Sequence, residues 1–119
     1  GGYILEAVQA AHDFNRRITE KDLLIYIKDY LNRYCQGFTF QQIKDGELIF
    51  DVQLPPKTAY ALGEFVEANK LLNQTNLQTG ETKRCVFRNK VTQTHGVMEQ
   101  ISQFHPLVRF ISQDLSGRD

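Results

Sequence analysis

The chain has 119 residues, of which 14 are Lys or Arg and 14 are Asp or Glu, so its formal net charge is zero; 41% are hydrophobic and 24% charged. This is one domain's worth of protein at about 100–200 residues per domain, and the balance excludes a disordered acidic tail. No apolar run approaches the roughly 20 residues of a spanning helix, which excludes a helical membrane protein, and neutrality argues against a whole-surface nucleic-acid binder while leaving a local basic patch open.

The chain begins Gly1-Gly2-Tyr3, with no initiator Met, basic leader or signal-like apolar segment. Such a start resembles the scar of a cloned fragment, and the expectation is a single domain over residues 1–119 cut from a longer cytoplasmic protein. Ile4, Leu5, Val8, Ala11 and Phe14 fall near helical spacing and predict a short first helix over 4–15. Thr19-Glu20-Lys21-Asp22 reads as a capping box, with the Thr19 hydroxyl accepting from the Asp22 amide. Leu23, Leu24, Tyr26, Ile27, Tyr30, Leu31 and Tyr34 then fill one arc of the next helix, Ile25 lies alone on the polar side, and Gly37 supplies the stop.

Phe38 to Lys44, Asp45-Gly46, and Glu47 to Leu54 predict a hairpin with a two-residue type I′ turn. In its second strand Leu48, Phe50, Val52 and Leu54 face the core. Pro55-Pro56 stops that strand and opens a third helix from Pro56 to Leu72, with Ala59, Leu62, Phe65, Val66 and Leu72 inward and Gly63 as a weak point. After a turn-rich stretch, Glu81 to Arg88 predicts a third strand with Cys85 and Phe87 inward and Arg84 and Arg88 outward. Residues 97–104 fit either a helical turn or an extended segment. His105-Pro106 opens a last helix whose apolar face is Leu107, Val108, Phe110, Ile111 and Leu115. The expected architecture is α+β, a small mainly antiparallel sheet (hairpin plus a third strand) covered by about four helices.

Signatures of catalysis are missing: the chain has no P-loop, dinucleotide glycine fingerprint, HExxH, GxSxG or CxxC. Asp45, Glu47 and Asp51 are the one acidic group that could ligate a divalent ion for phosphodiester chemistry, against which stand their roles as turn and solvated strand positions. His12, His95 and His105 lack metal-ligand spacing, so no metal site is expected; His105 is placed to cap a helix start. Cys35 and Cys85 are too few for a disulfide scaffold and read as reduced core thiols.

Two features suggest binding. Lys83, Arg84, Arg88 and Lys90 lie in a stretch with no acid between Glu81 and Glu99, a candidate contact for nucleic-acid phosphates whose plain alternative is a solvated strand face. Tyr26, Tyr30 and Tyr34 recur at helical spacing, either as core margin or as a partner-binding stripe.

Thr82-Lys83-Arg84-Cys85-Val86-Phe87-Arg88-Asn89-Lys90 followed by Met98 to Phe104 and then His105-Pro106-Leu107-Val108-Arg109 resembles the C-terminal accessory region of bacterial Swi/Snf-type helicase-like ATPases of the RNA polymerase recycling kind. There a strand of "TFDR" type precedes an acidic-apolar segment and an "HPLV" helix start; Val86-Phe87-Arg88-Asn89 takes the strand's place, with Arg88-Asn89 departing from Asp-Arg. The resemblance implies a non-catalytic C-terminal domain that docks on a parent helicase motor, on DNA or on RNA polymerase, with ATP and Mg belonging to the motor and no cofactor to this chain. The alternatives are a protein-protein adaptor dimerising through the tyrosines, or a small metal-dependent nuclease.

Overall fold

A computed structural model describes residues 18–89 and 98–118 of the chain. The helix expected over 4–15, His12, Lys90 and His95 lie outside the described residues. The first described helix, α1 (Glu20–Tyr34), starts as its sequence predicts, with the Asp22 amide donating to Thr19 Oγ1 at 3.0 Å. Its core face is Leu23, Tyr26, Ile27, Tyr30 and Leu31, while Ile25 is exposed on the opposite side. Leu23, Ile27 and Leu31 are fully buried, each contributing about 1.5–3 kcal/mol by leaving water. Leu31 accepts the Cys35 amide at the helix end, and Gly37 turns the chain with φ of 95°.

β1 (Thr39–Gln42) and β2 (Ile49–Gln53) form the expected antiparallel hairpin, but with Phe40 opposite Val52 and Gln42 opposite Phe50. A two-residue turn at Asp45-Gly46 would pair Lys44 with Glu47 and set Phe40 opposite Asp51. The observed register is one residue longer. Among the described residues of the turn only Gly46 has positive φ, 82°, so the type I′ geometry, which needs it at two successive residues, is absent. The reason lies in the faces: a one-residue slip would put Phe40 on the opposite side of the sheet from Phe50 and Val52.

α2 (Pro56–Ala68) begins at the second proline as expected and ends four residues short of Leu72. Its end is a Schellman closure, with the Lys70 amide on the Glu67 carbonyl at 3.3 Å and the Leu71 amide on the Val66 carbonyl at 2.8 Å. Leu71, not Leu72, is thereby folded back into the core, and Leu72 is exposed. Lys70 holds φ of 58° at the position that usually takes glycine. Lys70→Gly is therefore expected to raise stability by about 1 kcal/mol, read as a higher urea midpoint. Gly63, in mid-helix, has negative φ, and an added Cβ would sit 3.7 Å from the Gln78 Cβ, an ordinary contact. Gly63→Ala is expected to stabilise by about 0.5–1 kcal/mol in the same measurement.

A 3₁₀ turn (Leu77–Thr79) leads into β3 (Lys83–Phe87), then β4 (Glu99–Ile101) and α3 (Pro106–Gly117). The ambiguous segment before His105 thus contains a short strand. The sheet order is β1-β2-β3-β4, antiparallel except for the parallel β3–β4 pair. Phe40, Phe50, Val52, Cys85, Phe87 and Ile101 share the face under the helices, whereas Gln41, Asp51, Arg84 and Gln100 share the other. The class is α+β as expected, and the described residues hold three α-helices, the remaining expected one falling on 4–15 outside them.

Candidate functional site

The tyrosine stripe divides on folding. Tyr26 and Tyr30 are buried at 4% exposure each, and only Tyr34 reaches the surface, at 40%. Burial pushes the Tyr26 phenol up to about 12, with Ser112 as the hydroxyl beside it. Tyr30 donates from its hydroxyl to Asp114 Oδ2 at 2.7 Å; burial first, and that carboxylate second, raise its phenol well above the ordinary range. The same Asp114 oxygen accepts from Arg118 Nε at 2.8 Å, and the Arg118 guanidinium lies 4.0 Å over the Tyr34 ring. One carboxylate in the last turns of α3 therefore links α1 to α3 and orients the arginine at the helix end.

Beside this network an open groove of about 600 Å³ runs between α2 and α3. Ala61, Phe65, Ala68 and Phe110 give it an apolar floor, with Asp114 and Arg118 on its rim. Phe65, expected in the core, is only half buried because it serves as part of that floor, meeting Phe110 edge to face at 5.8 Å. Phe110 in turn packs against Tyr30 with centroids 6.5 Å apart. Such pairs contribute about 0.5–1.5 kcal/mol beyond their area.

Among the described residues, the basic stretch is divided between the two sides of the sheet. Lys83 and Arg84 are neighbours on a strand and point to opposite sides of the sheet. Lys83 Nζ lies 3.2 Å from Glu81, and Arg84 Nε lies 3.1 Å from Asp51 Oδ1 across the β2–β3 pair. Arg88 follows the end of β3 and is half buried. The acidic trio is also dispersed: Asp51 is taken by Arg84, Glu47 lies 3.8 Å from Lys44, and Asp45 occupies the exposed turn. Among the described residues no group of three or more His, Cys, Asp or Glu side chains is placed to hold a metal ion. Both cysteines are free and buried, and desolvation raises both thiols.

His105 caps α3 as its sequence predicts, accepting the Leu107 amide on Nδ1 at 2.9 Å. The accepting Nδ1 places the ring proton on Nε2, which faces Glu99 Oε2 at 2.5 Å. Glu99 also accepts from the Thr75 hydroxyl at 2.6 Å and the Asn76 amide at 2.8 Å. Burial alone would raise its carboxyl, but these donors, His105 foremost, outweigh it and hold the carboxyl below its usual range. Glu99 and the His105 ring are thus committed to joining β4, the 75–76 loop and α3. Asn89 makes a second polar junction, donating to the Ile18 carbonyl and accepting the Gln103 amide at 2.9 Å.

No signal in the sequence marks Glu99 or Asn89, or the Tyr30 contact of Asp114, because each is made through the tertiary fold. The Asp114–Arg118 pair, at i,i+4 spacing, is the one local signal sequence reasoning could have used. No described helix is long and apolar enough to cross a membrane. No family model, curated protein or solved structure matches the chain.

Proposed function

We propose that this chain is a non-catalytic accessory domain of an ATP-dependent, helicase-like protein of Swi/Snf type, and that it docks on the ATPase motor of that parent. The α2–α3 groove is the observation that carries the docking: an aromatic floor of Phe65 and Phe110, with its rim arginine oriented by Asp114 and Tyr34. The link to such a motor rests on the resemblance of Val86-Phe87-Arg88-Asn89 and His105-Pro106-Leu107-Val108 to the accessory region of those ATPases. In this reading ATP and Mg are bound by the motor, and the domain supplies a rigid surface. A protein surface is favoured over nucleic acid because Lys83 and Arg84 face opposite ways and each has an acidic neighbour.

The test begins with the reading frame upstream of Gly1, expected to encode an ATPase motor; a frame without one removes the helicase assignment. That motor, produced separately and added to the isotope-labelled domain, is expected to shift amide signals lining the groove. Ala68→Arg, a change at an exposed groove position, is expected to abolish those shifts without altering the melting temperature. Binding that survives this substitution, or duplex DNA that binds and is lost with Arg84→Glu, would overturn the docking surface.

A further inference from the structure

Among the described residues β1 is an outer strand of the sheet, and the hairpin register decides which of its main-chain groups are used. The Ile43 amide donates to the Ile49 carbonyl at 3.0 Å, and Gln41 with Asp51 and Thr39 with Gln53 fall on the same alternation. Odd-numbered residues of β1 therefore exchange hydrogen bonds with β2, while the N–H and C=O groups of Phe40 and Gln42 point away from the sheet. The other side of β2 agrees: the Phe87 amide donates to the Leu48 carbonyl at 2.9 Å, so the even residues of β2 face β3 and its odd residues face β1. A row of alternating main-chain donors and acceptors is completed by another extended main chain.

The character of the strand selects which chain. Thr39-Phe40-Gln41-Gln42-Ile43 contains no charge and no proline, so two copies laid antiparallel bring no like charges together. About a two-fold axis at Gln41, Phe40 of each copy faces Gln42 of the other, and the outward amides and carbonyls of both satisfy one another. Thr39 then meets Ile43, a residue 41% exposed in the isolated chain. The zero net charge of the whole chain adds no long-range repulsion between copies. We propose that two copies of this chain associate through their β1 edges, antiparallel and centred on Gln41, so that their sheets become one continuous sheet with both helix layers on the same side. This edge is separate from the α2–α3 groove and its pairing does not depend on what the groove binds.

Sedimentation equilibrium from micromolar to millimolar concentration tests the pairing. A reversible monomer–dimer equilibrium is expected, with amide hydrogen exchange at Phe40 and Gln42 slowing as the dimer forms. Gln41 is exposed, so charge can be placed at the axis without disturbing the core. Gln41→Lys and Gln41→Glu are each expected to weaken association about fivefold at low salt, the size of one like-charge cross-strand pair. An equimolar mixture of the two variants is expected to associate at least as well as the parent chain. A monomeric mass at every concentration would overturn the proposal, and so would an association that neither variant weakens.

Discussion

Glu99→Ala is expected to destabilise the protein by about 3–5 kcal/mol, read as a drop in the urea midpoint. The substitution removes the acceptor shared by His105 Nε2, the Thr75 hydroxyl and the Asn76 amide. The His105 side chain is only 2% exposed, so its Nε2 proton would be left buried without its acceptor. Glu99→Gln keeps the volume and one acceptor oxygen, and a smaller loss of about 1–2 kcal/mol is expected. The two variants therefore separate the acceptor from the space it fills.

Acidification gives an independent reading of the same carboxylate. Its pKa is lower in the folded chain than the ordinary value of 4.5, so the unfolded chain takes up the proton first as pH falls. The stabilisation is fully present above about pH 4.5, declines below it, and is gone once the folded carboxylate is protonated too. A stability profile of Glu99→Gln is expected to lack this component. Equal acid sensitivity in the parent chain and the variant would show that other carboxylates govern the acid limb. The consequence reaches the groove, because His105 holds the first turn of the helix that carries Phe110, Asp114 and Arg118.

Local chemistry was legible wherever cause and effect lie within one turn of chain. The Thr19 cap, the proline start of α2 and the His105 cap each depend on residues two or three positions apart. The sheet class and the helix faces follow from periodicities of two and of about 3.6. The hairpin register was legible too, in a signal stronger than the turn dipeptide. Phe38, Phe40, Leu48, Phe50, Val52 and Leu54 all have even numbers, and antiparallel partners on one face must then sum to an even number. A two-residue turn at Asp45-Gly46 gives an odd sum. The same alternation separates Lys83 from Arg84, so charge counted along a strand is not charge on a surface. Beyond reach were the pairs that only packing creates: Tyr30 with Asp114 across 84 positions, and Thr75 with Glu99 across 24. A helical arc shows which tyrosines turn inward as a group, but the margin that stays open depends on where a second helix is laid. That is why Tyr34 alone of the three remains at the surface.

Phe87→Ala is expected to cost about 3–5 kcal/mol, with the urea slope unchanged. Phe87 is 2% exposed on β3, an inner strand bonded to β2 on one side and β4 on the other. Its ring meets Phe50 edge to face at 5.8 Å and Phe40 at 5.9 Å, and Phe40 meets Phe50 at 4.9 Å. Strands hydrogen-bonded on both sides cannot close on the vacated space, so the cavity penalty adds to the lost transfer energy. Phe87→Leu, which fills most of that volume, is expected to recover more than half of the loss. Phe40→Ala is expected to cost less, because its ring is half buried on the edge strand. Combining Phe40→Ala with Phe87→Ala makes the hairpin register itself measurable. With Phe40 opposite Val52 the two rings are in contact, and a double-mutant cycle is expected to return a coupling of about 0.5–1.5 kcal/mol. A register one residue shorter would carry Phe40 to the other face of the sheet, and the coupling would then vanish.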